Sequence, residues 1–85
     1  MRSSMANESA ELIIQFRRGV DEASAKSAVS ALGGAVRRRM RTDHPDQVML
    51  LAKFPADQIR RHAQEAANHP NVERVEVNSD GFEIR

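Results

Sequence analysis

Few residues in this 85-residue chain are able to do chemistry, and their spacing decides what kind. His44, His62 and His69 are the only imidazoles, and there is no cysteine. Zinc sites take His, Cys and carboxylates at short fixed intervals; these histidines match no such pattern, so no metal and no cofactor is expected. His62 falls beside an apolar helix face, and His69 stands directly before Pro70, where it helps to end a helix. The serines have no partnered base at any recognisable interval, so none is activated as a nucleophile. Gly33-Gly34 follows a helical stretch, whereas a phosphate cradle precedes one. No catalytic residue is expected, and the chain does not read as an enzyme.

Charge narrows the choice further. Arg17, Arg18 and the run RRRMR from Arg37 to Arg41 could meet phosphates. Small sheet domains that bind RNA usually stack bases on exposed aromatic side chains. Here there are three Phe, no Tyr and no Trp, and 13 basic against 12 acidic residues give a net charge of only +1. The basic run therefore reads as a solvated edge strand, where charge also discourages edge-to-edge aggregation. No nucleic acid is expected as a partner. No segment approaches the ~20 apolar residues of a membrane span, so no membrane is expected either. The opening MRSSMANESAE has no signal-like apolar run. Cytoplasmic location is the default expectation, unless the chain is an excerpt of a longer precursor.

The elements that must position any site follow from periodicity. Residues 1–10 are small and polar and read as a disordered lead-in, 11–78 as the folded domain, and 79–85 as an extended tail. Glu11 to Phe16 is strand-like, ended by Arg17, Arg18 and a turn at Gly19. Asp21 is placed to cap a helix whose apolar face is Ala25, Ala28, Val29 and Leu32. Gly33 ends it in the left-handed conformation. Ala35 to Arg41 is a second strand, with Val36 and Met40 two steps either side of Arg38. Val48 to Phe54 is a third and the most apolar. Pro55 suits the first position of a second helix, lined by Ile59, Ala63 and Ala66 and stopped by Pro70. Val72 to Val77 is the fourth strand.

The order β-α-β-β-α-β predicts an α+β, ferredoxin-like sandwich. Strands one and three lie centrally in a four-stranded antiparallel sheet, with both helices on one face. A core made mainly of Val, Leu, Ile and Ala in so short a chain supplies about 3–5 kcal/mol of net stability. With Leu12, Ile14, Phe16, Leu50, Ala52 and Phe54 inward, Ile13, Met49 and Leu51 point outward on adjacent strands. Three apolar residues there predict an exposed patch, which more often marks a contact surface than an accident. Docking of a partner, cover by the chain itself and self-association all satisfy that pattern.

A resemblance sharpens the choice. LIIQFRRGV, then SALGGAVRRR, LLAKFPADQI and HPNVERVEVN, from about Leu12 to Asn78, resemble the subtilisin-propeptide family of peptidase inhibitors. The most specific pieces are Leu32-Gly33-Gly34 followed by Val36, and His69-Pro70-Asn71-Val72 followed by Val75-Glu76. The resemblance implies the same fold and a mechanism: the open sheet face docks on two surface helices of a subtilisin-like serine protease. Carboxylates after the last strand cap those helices, and the tail lies in the substrate cleft like a product. Helix N-termini offer free amides and partial positive charge, so an oxygen acceptor is stabilised there. By this likeness Ile13, Met49 and Leu51 form the docking face, and Glu76 takes the place of the first capping carboxylate. Asn78 stands where an aspartate is common and accepts without charge. Phe82, Glu83, Ile84 and Arg85 form the cleft-bound segment. Subtilisins usually prefer a larger apolar or aromatic last residue, so Arg85 implies a protease with an acidic pocket or another use of the tail.

The expected activity is that of a free-standing inhibitor or chaperone-like partner of a subtilisin-type protease, monomeric when free. The competing expectation is a small ligand-binding or self-associating regulatory domain of the same topology, dimeric through Ile13, Met49 and Leu51.

Overall fold

The computed structural model describes residues 9–78. The expected lead-in up to residue 8, and the tail from 79 to 85 with Phe82, Glu83, Ile84 and Arg85, lie outside the described residues. Strand β1 spans Ser9–Phe16, helix α1 Glu22–Ala31, β2 Ala35–Met40, β3 Met49–Pro55, α2 Ile59–Ala67 and β4 Val72–Val77. The four strands form one antiparallel sheet in the order β2-β3-β1-β4, the ferredoxin-like arrangement.

Alternation builds the core. Leu12, Ile14 and Phe16 of β1 and Leu50, Ala52 and Phe54 of β3 are at most 1% exposed. Ala25, Ala28 and Val29 of α1 and Ala66 of α2 close over them, with Val72 of β4 at the side. The helices share this face: α1 lies over β2 and β3, and α2 mainly over β4. β1 starts at Ser9, two residues ahead of the predicted Glu11. Register explains it, since Ala10 is buried opposite Phe54 and Ser9 pairs with Pro55.

Caps fix where the helices begin and end. Asp21 accepts a 2.9 Å hydrogen bond from the Ser24 amide, satisfying one of the free donors of the first turn. The Ser24 side chain first, and this backbone bond second, hold the Asp21 carboxyl below its ordinary value. At the other end Gly33 adopts φ +95°, which a side chain would strain. Its amide donates to Ser30 and that of Gly34 to Val29, closing the last turn. Gly34 serves a second purpose. A Cβ there would lie 2.4 Å from the tip of the Phe54 ring, so the bare backbone is the floor on which that ring packs.

Two local expectations are corrected. Pro55 does not open α2; it is the last residue of β3, and a 3₁₀ turn (Ala56–Gln58) leads into the helix. Its ring still suits the site, because a strand end next to a tight turn needs no proline N–H. Val36 and Met40 do not share a face. Val36 pairs with Ala52, but Arg38 pairs with Leu51 and Met40 with Met49, so Arg37 is an extra, bulged residue. A bulge of one residue carries everything after it to the other side of the sheet.

Gln47, 3% exposed, ties the loop before β3 to the rest. Its amide donates to the Phe16 carbonyl (3.0 Å) and to Glu73 (3.1 Å), the extra residue where β4 slips register against β1. A buried amide with two such bonds is satisfied rather than available for chemistry.

Candidate functional site

The sheet has a second face, and among the described residues no helix covers it. Pairing places its side chains in three rows that cross all four strands. The central row reads Arg38, Leu51, Ile13, Glu76 from β2 to β4. On one side lie Met40, Met49, Gln15 and Arg74; on the other Ala35, Lys53 and Glu11, followed by Asn78 just past β4. Ile13, Met49 and Leu51 are therefore brought together, and Met40 extends the apolar strip.

The strip is less exposed than the sequence led one to expect. Ile13 and Met49 are half-buried and Leu51 is 4% exposed. A polar strap lies beside Leu51. Arg37 on β2 donates to the carboxylate of Glu11 on β1, and β3 lies between them, so the ion pair reaches over β3 beside Leu51. Glu11 also accepts from the Asn78 side-chain amide at 2.8 Å. The Arg37 hydrogen bond pulls the Glu11 carboxyl below its ordinary value; partial desolvation opposes this, and Asn78 adds to the lowering. With its NH₂ held by Glu11, the Asn78 amide has an oxygen that accepts from no donor among the described residues.

Glu76 stands on the same face two residues before Asn78, exposed and opposite Ile13. Both oxygen-bearing side chains thus project from one side of the β4 edge. Such an edge can present acceptors to the amides of a helix end. Between the strip and this edge is a shallow dimple lined by Ile13, Gln15, Met49, Arg74 and Glu76.

The three consecutive arginines of β2 have three different surroundings. Arg37 is paired with Glu11 on the open face. Arg39 turns to the helix side and meets Glu22 of α1 at 2.9 Å. Glu22, which also pairs with Lys26, is held below its ordinary value by Lys26 first and Arg39 second. Arg38 points from the open face beside Leu51, with no ion pair among the described residues. Residue type cannot distinguish three arginines in a row, and sequence reasoning missed Arg37, Arg38 and Met40 as members of this face. Only the bulge separates them.

The remaining candidates lie away from this face. His62 is 7% exposed and packs its ring 4.9 Å from that of Phe54. His69 lies just beyond α2, and its Nδ1 accepts from the Asn71 amide at 3.1 Å. An open groove of about 450 Å³ between α1 and the loop before β4 is lined by small residues of α1 with His69 and Asn71. Among the described residues no group of three or more His, Cys, Asp or Glu could hold a metal ion. Nor is any described helix long and apolar enough to cross a membrane.

A family model described as the fervidolysin N-terminal prodomain matches residues 9–78, the span from the start of β1 to Asn78. The chain belongs to this family. It is a subtilisin-propeptide-like domain. No curated protein and no solved structure matches the chain. Membership of this propeptide-like family points to a non-catalytic domain.

Proposed function

We propose that this prodomain-like chain binds a subtilisin-type serine protease through its open sheet face, acting as an inhibitor or a folding partner. The supporting observation is the placement of Glu76 and Asn78 on one side of the β4 edge, next to the apolar strip of Ile13, Met49 and Leu51. In this reading the strip packs on two protease helices. Glu76 accepts from amides at one helix N-terminus, where its charge is favoured, and the Asn78 oxygen accepts at the other. The segment from Phe82 to Arg85 enters the substrate cleft and adds main-chain hydrogen bonds as an extra strand would. The Glu11–Asn78 bond fixes the amide before docking, which lowers the ordering cost of the complex.

The test is a titration against a panel of subtilisin-type proteases, including one that prefers basic residues. The variants are Glu76→Gln and a truncation lacking residues 82–85. Inhibition is expected for the intact chain, lost on truncation, and weakened about tenfold or more by Glu76→Gln, since a charged hydrogen bond contributes about 1.5–3 kcal/mol. A chain that neither inhibits nor forms a stable complex with any inactivated panel member rules out the reading.

A further inference from the structure

The charges of the central row on the open face are segregated. Arg37, Arg38 and Lys53 stand on the half formed by β2 and β3, whereas Glu11 and Glu76 stand on the half formed by β1 and β4, which also carries Arg74 in an outer row. The central row runs cation, apolar, apolar, carboxylate. We infer that this face is self-complementary and that a second copy of the chain docks on it, face to face, about a two-fold axis parallel to the strands.

Such an axis reverses the strand order from one protomer to the other. It sets Arg38 over Glu76 of the second copy and Leu51 over its Ile13, and by symmetry repeats each contact. Lys53 comes to lie over the opposing Glu11. A two-fold axis across the strands would stack Arg38 on Arg38 and Glu76 on Glu76, so the charge pattern selects between the two arrangements. Aligned sheets are also the common way for two sheets to pack, with strands within about 30° of one another.

Size limits the strength. Four strands about 4.8 Å apart and about 20 Å long present roughly 400 Å² per protomer. That falls below the roughly 600 Å² per partner at the low end of stable interfaces, so the dimer is weak. The inference goes beyond the protease reading but uses the same face: dimer and protease complex exclude each other, and at low concentration the free chain presents the face open.

Sedimentation equilibrium between about 10 µM and 1 mM at low salt tests it, in the range where weak interfaces of this size populate. The wild-type mean mass is expected to rise toward twice that of the monomer. Arg38→Glu alone, or Glu76→Arg alone, sets like charges together and should weaken association by about tenfold or more. The double exchange R38E/E76R restores the pairs and should recover it. Both side chains are exposed, and circular dichroism confirms that each variant is folded. A wild type that stays monomeric to 1 mM overturns the inference, as do single reversals without effect or a double exchange without recovery. A monomer that inhibits a protease leaves the protease reading standing, and a dimer that inhibits none does the reverse.

Discussion

On the helix side of the sheet, Leu12, Ile14 and Phe16 are fully buried; on the other side their neighbours Glu11, Ile13 and Gln15 are only partly so. The two sets alternate along one strand, with the same hydrogen-bonding partners. What differs is what lies above them. The covered face is apolar throughout its centre and is closed by two helices. The open face mixes an apolar strip with a strap of Arg37, Glu11 and Asn78 that shields Leu51 without hiding it under a second layer. Buried packing is concentrated on one face and, in the function proposed above, recognition on the other, at a separation of one residue.

The sharpest way to break this comparison is to truncate adjacent residues. Leu12→Ala removes a fully buried side chain and is expected to cost about 2–5 kcal/mol. A domain of this size has about 3–5 kcal/mol in total, so the variant should be largely unfolded at room temperature. Ile13→Ala removes a half-buried one and should cost about 1 kcal/mol. Urea denaturation measures both. Equal costs would mean that the open face is packed as tightly as the core, and the division between them would fail.

An intermediate effect is expected at Gly34. A methyl group there must displace the Phe54 ring, and overpacking of this kind costs about 1–3 kcal/mol. The neighbouring Gly33 is required for its backbone conformation instead, so Gly34→Ala separates packing from φ in one helix end. The expected outcome is a lowered urea midpoint with an unchanged slope. No loss would show that the ring has another place to go.

Most of the covered face was legible in the sequence. Period-two alternation in β1 and β3, the Asp21 cap and the left-handed Gly33 each depend on local chemistry that residue type records. The membership of Ile13, Met49 and Leu51 in one face followed from the same alternation. The polar strap beside Leu51 did not, because it is an ion pair joining Arg37 to Glu11 across an intervening strand. The bulge at Arg37 was equally hidden: a run of arginines carries no apolar marker to show where the period slips. Glu76 and Asn78 could be placed by likeness, but the Glu11 bond that orients Asn78 joins residues 67 apart in the chain.

The smallest expected effect concerns acid, and it sharpens the comparison because both faces contribute. Glu11 on the open face and Glu22 on the helix side are held below 4.5, and Asp21 below 3.8. Each binds its proton less readily when folded than when unfolded. The unfolded chain therefore takes up more protons as acid is added, and stability must fall with pH. The contribution is complete above the unfolded values, begins to be lost as pH drops below about 4.5, and is gone once the pH is below the folded values. These groups are at the surface, so the loss is gradual and is reduced by salt. Urea midpoints should be flat from pH 7 to about 5 and decline below that. In Glu11→Gln the decline should be shallower but still present, because Asp21 and Glu22 remain. If Glu11→Gln left the acid profile unchanged, the strap would contribute nothing to folding, and the arrangement of the open face would have to be explained by what binds to it.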